Sequence, residues 1–450
     1  MSTASAPPES VPLRTALRDS PGVLRLAVVR FAGQFGDGMF QAALSGAILF
    51  NPERQTDPLA IAAGFAVLLL PYSLIGPYAG ALLDRWDRRA VLLVANIFRA
   101  VLIGAVALGL LAGLGETPLL LGALAVVGIS RFVLAGVSAA LPRVLAQQWL
   151  VPMNSVLATV ASGCAGLGAA ISVAIIGGFG AGDFASAIAV GVSAVGSVLS
   201  ALLAIGFRAR VLGPEDGTAG QESTVHAIAT GLRTGAAAVW QSAQVTTAMI
   251  GIGVHRIVFG TNTLIMVLVL RVVPDGDSGL DSGLLGFGVA IAAAAGGMLL
   301  AAVVAPLVIP RLGRPRTVVA GLLVATLVQL TLVTPIAVAQ DGPAYQYAHH
   351  LLLVGAFLFG LAGQTIKLTG DATMQIDIDD ARRGQVFALQ DTVFNIAFVL
   401  AIAVAALMIP ADGRSLPVVL AGAAVYCAGI VAILWNARRA RYSTRQSLSG

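Results

Sequence analysis

Nine arginine, lysine and aspartate side chains sit inside stretches otherwise built mostly of small and aliphatic residues: Arg25, Arg30, Arg99, Arg131, Arg256 and Lys367 against Asp37, Asp371 and Asp391. A charge in an apolar medium is costly unless water or a partner meets it, so each marks either chemistry or a tie between helices. Asp37 is the most suggestive. It lies between Gly36 and Gly38 near the middle of its apolar run, where a carboxyl group that takes up and releases a proton would act as a carrier. A neighbouring base, Arg131 or Arg30, would let a passing ligand bias that exchange; the alternative is a permanent ion pair between helices. Arg30, Arg256 and Lys367 carry the same two readings, ligand contact or structural pairing. Lys367 is the chain's one lysine, the base that changes protonation state most readily.

Arg99, with Asn96 nearby, reads as a structural pair, and Arg25 as an interface anchor. Asp371 and Asp391 fall nearer the ends of their runs and read as structural or gating residues. Gln34, Gln41, Asn262, Gln364, Gln390 and Asn395 could offer neutral hydrogen bonds to a ligand, or equally hold helices together. The excess of bases over acids in these runs favours an anionic or amphiphilic partner molecule.

Enzyme chemistry finds little support. An intramembrane aspartyl protease needs Gly-x-Gly-Asp, and Gln34 stands where the first glycine belongs. The four histidines form no His-Glu-x-x-His motif, and no phosphate-binding loop is present. His349 and His350 beside Tyr345 and Tyr347 read as an outer polar turn rather than a metal site. Cys164 and Cys427 lie inside apolar runs and give no disulfide framework or zinc spacing. No metal or cofactor is expected.

The elements that must position these residues are membrane helices. Hydrophobic residues make up 57% of the chain and charged ones 11%, and the mean hydropathy of +0.89 excludes an ordinary soluble domain. A spanning helix needs roughly 20 apolar residues. Twelve such runs occur, at about 23–50, 59–83, 90–114, 119–142, 154–179, 184–207, 246–270, 283–308, 317–339, 351–374, 385–409 and 417–436. The predicted fold is thus an all-α polytopic membrane protein. Residues 1–22 read as a disordered cytoplasmic tail, 23–207 as a six-helix bundle, 208–245 as a cytoplasmic linker with an interfacial helix over Val225–Trp240, 246–437 as a second six-helix bundle and 438–450 as a second tail.

Orientation follows from the bases, which gather on the cytoplasmic side of a membrane. With the N-terminus inside, the inner segments hold 18 of them and the outer segments only Arg54, Arg271 and Arg414. That places both termini in the cytoplasm of a protein of the cytoplasmic membrane, and it also accounts for the net charge of +5 without any nucleic-acid partner.

The densest cluster, Gly80-Ala-Leu-Leu-Asp84-Arg85-Trp-Asp87-Arg88-Arg89, lies between the second and third runs. It resembles the loop between helices two and three of major facilitator superfamily transporters, with Asp87 in place of the second glycine. A degenerate copy follows the eighth run at Pro310-Arg311-Leu312-Gly313-Arg314-Pro315-Arg316, and Phe35-Gly36-Asp37 recurs as Phe259-Gly260-Thr261. The resemblance implies two parallel six-helix pseudo-repeats and secondary transport of a small molecule by alternating access, usually by a single chain. It puts Arg30, Arg131, Arg256 and Lys367 on the four helices that line the central cavity, and Arg99 on a peripheral one. Arg131…Gly136 is similar to a motif tied to proton coupling, with the glycine displaced by one residue. It also implies a gate in which Asp84 caps the helix that begins near Gly384. Leu141-Pro142…Asn154 and Arg382-Arg383-Gly384-Gln385-Val386-Phe387 resemble siderophore and drug exporters, which suggests proton-coupled export; uptake or uncoupled facilitation is the alternative. Glycines at 163, 166, 168, 177 and 178 in the fifth run lack the antiporters' Gly-Pro pair and read as close helix packing.

Overall fold

A backbone immersed in lipid must satisfy its own hydrogen bonds, and a chain of aliphatic runs does so by coiling. In the computed structural model every regular element described is helical. The structure describes residues 20, 22–50, 58–83, 86–145, 150–180, 182–213, 224–271, 283–339 and 343–449, of which 70, 72–82, 150–152, 154–155, 224–229, 343, 380–381 and 440–449 are described by backbone alone. Asp84, Arg85 and nearly all of the expected 1–22 tail lie outside the described residues, and Gly80 is described only as helical backbone.

The first apolar runs form α1 (Val23–Leu49), α2 (Pro58–Leu83), α3 (Arg88–Leu111), α4 (Glu116–Val144), α5 (Leu150–Phe179) and α6 (Asp183–Ile205). Next comes α7 (Thr224–Gln241), over the stretch expected to hold an interfacial helix. The remaining runs form α8 (Ala243–Arg271), α9 (Gly283–Leu312), α10 (Arg314–Val338), α11 (Pro343–Asp377), α12 (Asp380–Ala406) and α13 (Leu416–Ser449). Among the described residues, 10 helices are long and apolar enough to cross a membrane, namely α3 to α6 and α8 to α13. Two segments are more helical than expected. Helix α13 continues through 438–449, and the Tyr345–His350 stretch forms the first turns of α11, with Gln346, Tyr347 and His350 exposed.

Local chemistry explains several boundaries. Asp87 caps α3 by accepting from the Arg89 amide at 3.0 Å, the usual remedy for the orphan donors of a first turn. Gly313 precedes α10 at φ +81°, a backbone that side chains resist, and Pro315 follows in the first turn, where its missing N–H costs nothing. A π turn over Gln329–Val333 interrupts α10 just before Pro335, which cannot donate to the preceding turn.

Packing divides the chain into two compact units, Met1–Leu44 with Tyr78–Gln221, and Ser45–Pro77 with Glu222–Gly450. The sequence expectation grouped 45–77 with the first bundle. Here that segment goes with the second unit, where Phe50 meets Phe287 (ring centroids 5.1 Å apart), Phe65 meets Phe398 (6.3 Å), and Arg271 donates to the Leu49 carbonyl at 2.9 Å. In the first unit, Val23, Leu26, Leu92, Val133, Val137, Leu141, Leu157 and Phe207 are buried together in one core.

Glycine sets the closest approaches in the first unit. A Cβ on Gly38 would strike the Ala165 carbonyl, one on Gly168 the Phe35 carbonyl, and one on Gly196 the Ala32 carbonyl. Backbones of α1, α5 and α6 thus touch where only glycine fits. Gly163, Gly166, Gly177 and Gly178 meet no neighbour within 4 Å, so close packing accounts for only one of the five glycines of α5.

Candidate functional site

The crossings at Gly36 and Gly196 bring α1 against α6, and α3 packs along α6 beside them. This places Asp37 inside the first unit, 7% exposed, opposite the fully buried Arg99. The Arg99 Nη1 to Asp37 Oδ1 distance is 3.3 Å. Arg99 Nε also donates to Ser197 Oγ of α6 at 2.7 Å, and Gln34 Nε2 donates to Asp37 Oδ2 at 3.0 Å. Arg131 of α4 stands within electrostatic reach of the same carboxylate. The sequence reading set Arg99 on the periphery and named only Arg131 and Arg30 as partners; tertiary packing turns Arg99 inward to the acid. Arg30 lies about two turns earlier than Asp37 on α1 and is engaged by its surroundings.

The second unit has a matching junction without charge. Asn262 of α8 donates to Gln329 Oε1 at 2.7 Å, while Gln329 Nε2 donates back to Asn262 Oδ1 at 3.2 Å and to the Val419 carbonyl of α13 at 3.1 Å. Asn262, read from the sequence as either a ligand contact or a tie between helices, is buried in a helix-to-helix amide pair, and Gln329 drew no notice in the sequence. The π turn that begins at Gln329 is where α10 presents that amide.

A separate cavity of about 110 Å³ lies among α8, α9, α11 and α12 of the second unit. Its polar lining includes Arg256, Lys367, Asp391 and Gln390, and its apolar wall includes Phe259, Phe359 and Phe394. Lys367 Nζ lies 2.6 Å from Asp371 Oδ2 one turn along α11, and Gln390 Nε2 donates to the other Asp371 oxygen at 3.3 Å. The Arg256 guanidinium lies 5.3 Å from the centroid of Phe398, close enough for cation–π attraction, and it feels Asp391 electrostatically. His255 was missed. Its ring is buried in the cavity wall, stacked on Phe259 at 5.9 Å, with Nδ1 3.1 Å from the Tyr426 hydroxyl. Its position next to Arg256 in an apolar run was the available signal.

The arginine-rich loop acts as a cap on helix ends. Arg88 Nε donates to the carbonyl of Leu83, the last residue of α2, at 3.1 Å, and Nη1 donates to the Ala139 carbonyl of α4 at 2.8 Å. Its backbone amide donates to the Gly213 carbonyl at 3.0 Å, and Arg89 reaches the Ile205 carbonyl at the end of α6 at 3.4 Å. Orphan carbonyls and the negative end of the helix dipole both favour a guanidinium there. Asp87, the departure from the loop pattern, also accepts from the Arg210 amide at 3.3 Å. In the second unit Arg314, the first residue of α10, pairs with Asp377 at the end of α11 at 2.9 Å.

Residues 26–401 match the model of the Major Facilitator Superfamily. Uncharacterized MFS-type transporters of Mycobacterium tuberculosis and Mycobacterium bovis are 43% identical over 421 residues, covering 92% of this chain and 91% of each relative. The crystal structure of the nucleoside transporter NupG shares the fold at a TM-score of 0.64 and 14% identity, over 92% of this chain and 98% of that one. The peptide transporter POT in complex with sulfate does so at 0.64 and 15%, over 96% and 99%. Helical architecture, apolar spans and sequence agree along nearly the whole chain: it belongs to the major facilitator superfamily of membrane transporters.

Proposed function

We propose that this transporter couples proton movement to the export of a small amphiphilic molecule, working by alternating access as a single chain. The observation that carries the reading is Asp37, a carboxylate buried within a membrane-length helix and held by Arg99 and Gln34, with Arg131 in electrostatic reach. A proton carrier needs an acid whose ionised form depends on partners that can be drawn away. Arg30 and Arg131 leave the first unit with more bases than acids in its helices, which suits an anionic group on the cargo. In the second unit Arg256, Lys367 and Asp391 line a cavity with aromatic walls, which suits its apolar part.

In this reading Gly80, Asp84, Arg85, Arg88 and Arg89 form the conformational gate, with Gly313 and Arg314 as its counterpart. The two compact units, linked through 208–245, are the two moving halves. The exporter-like segment Arg382–Phe387 supports outward transport from the cytoplasmic membrane, with both termini inside.

The test is purified protein in liposomes that enclose a pH-sensitive dye, challenged with a panel of amphiphilic anions and cations. Substrate-dependent proton movement is expected in the wild type and is expected to vanish in Asp37→Asn and Arg131→Ala. Substrate flux without proton movement, unchanged by Asp37→Asn, would sink the coupling and leave a facilitator with structural charges.

A further inference from the structure

An open groove of about 590 Å³ runs along the first unit between α3 and α4. Residue size builds it. Ala90 and Ala95 of α3 keep it deep, while Trp86, Phe98 and, from α4, Ile129 and Phe132 stand around them. The Trp86 and Phe132 rings meet edge to face, 6.3 Å between centroids. Trp86 and Phe98 are 51% and 55% exposed, so the unit leaves both rings half uncovered. They stand twelve residues apart, about 18 Å at the 1.5 Å rise of a helix. One leaflet's share of the hydrocarbon core is roughly 15 Å. Trp86 also suits one end of such a span, because an indole settles at the boundary between lipid and water.

The Trp86 end opens on a cationic rim. Asp87 lines the groove there and accepts from the amides of Arg89 and Arg210 at 3.0 and 3.3 Å. The Arg88 amide donates to the Gly213 carbonyl, and a Cβ on Gly213 would lie 3.2 Å from Arg88 Nη1 and 3.3 Å from Arg143 Nε. Arg88, Arg89, Arg143 and Arg210 thus gather around Asp87, the one acid among the described residues of this rim, and Arg143 and Arg210 are exposed. Arg210 sits at φ +63°, a left-handed backbone that side chains resist, with its amide on Asp87. An apolar groove one leaflet deep under a cationic mouth matches an acyl chain below an anionic headgroup. A second copy of the chain matches poorly. Two copies inserted alike and related by a two-fold axis would set these arginines against their own counterparts.

We infer that the α3–α4 groove is a lipid site: one acyl chain of an anionic phospholipid lies along Ala90 and Ala95, and its phosphate meets Arg210 and Arg143. The site stands apart from the Asp37 junction and from the second-unit cavity. It requires neither proton coupling nor a direction of transport.

Trp86 supplies the reporter. With Trp149→Phe, Trp240→Phe and Trp435→Phe in place, the full-length protein is reconstituted in vesicles that mix dioleoyl-phosphatidylglycerol with dioleoyl-phosphatidylcholine. Bromine is carried on the chains of one lipid or the other, and quenching of Trp86 by each gives their relative affinity for the groove. Phosphatidylglycerol is expected to be favoured about five- to tenfold, as roughly one close arginine contact gives. That ratio is expected to fall to about one in Arg143→Gln/Arg210→Gly, where glycine suits the positive φ and only the charge is lost. Ala95→Phe, which fills the groove, is expected to cut quenching by both lipids by about half or more. The inference is overturned if the two lipids quench alike before any rim or groove substitution. It is equally overturned if the preference survives loss of both arginines, or if Ala95→Phe leaves quenching unchanged. Shielding of Trp86 from both lipids would also overturn it and would put a second copy on this face. The comparison of the two lipids on the unaltered groove does not depend on the folding of any rim or groove variant.

Discussion

At the scale of single residues, the Asp37–Arg99 pair is the costliest feature of the first unit. Two ions at 8% and 1% side-chain exposure forfeit hydration that their mutual attraction only partly returns. Removing one of them leaves the other uncompensated. Arg99→Met is therefore expected to destabilise the protein by about 3–5 kcal/mol, read as a lower apparent Tm of the detergent-purified protein. The double variant Asp37→Asn/Arg99→Gln should recover most of that loss, because it recreates in the first unit the neutral amide pair that Asn262 and Gln329 form in the second. A double variant no more stable than Arg99→Met would show that the two side chains do not act as a pair.

Between elements, both units tie three helices with one polar junction. Asp37, Arg99 and Ser197 join α1, α3 and α6; Asn262, Gln329 and the Val419 carbonyl join α8, α10 and α13. These helices occupy equivalent places in the two halves of the sequence repeat. The charged version sits where proton coupling is proposed, and the neutral version holds helices without any titrating group. The first junction depends on glycine-sized gaps. Gly196→Val would drive a side chain into the Ala32 carbonyl, whereas Gly163→Val would enter open space. Overpacking of a tight contact costs about 1–3 kcal/mol or more. Gly196→Val is accordingly expected to lower the yield of monodisperse protein and its Tm, and Gly163→Val to leave both near wild type. Equal losses in the two variants would count against close backbone contact as the cause.

For the molecule as a whole, the distribution of bases predicts its orientation. In a background of Cys164→Ser and Cys427→Ser, Arg208→Cys should react with a membrane-impermeant maleimide only after cells are opened, and Ala112→Cys should react in intact cells. Both positions are exposed at helix ends, so failure to react would not come from burial. The reverse labelling pattern would invert the topology and, with it, the side on which the Arg88 hub and the proposed gate lie.

Hydropathy determined most of the fold. In lipid each apolar run must become a helix, so the helices and their rough lengths could be read from the hydropathy pattern, whereas the grouping of 45–77 with the second unit could not. The arginine-rich loop and its degenerate copy identified the family for the same reason, since a loop's charge is fixed by its sequence and not by its neighbours. The partners of buried polar groups were not legible. Arg99 rather than an arginine of a cavity-lining helix forms the Asp37 ion pair, Asn262 turns to Gln329, His255 joins the cavity wall, and one glycine of α5 packs while four do not. Each of these depends on which helices are neighbours and how each is rotated about its axis. In an evenly apolar helix the sequence leaves that rotation almost free, because lipid accepts any aliphatic face. Tertiary packing, through glycine contacts and a few hydrogen bonds, decided it.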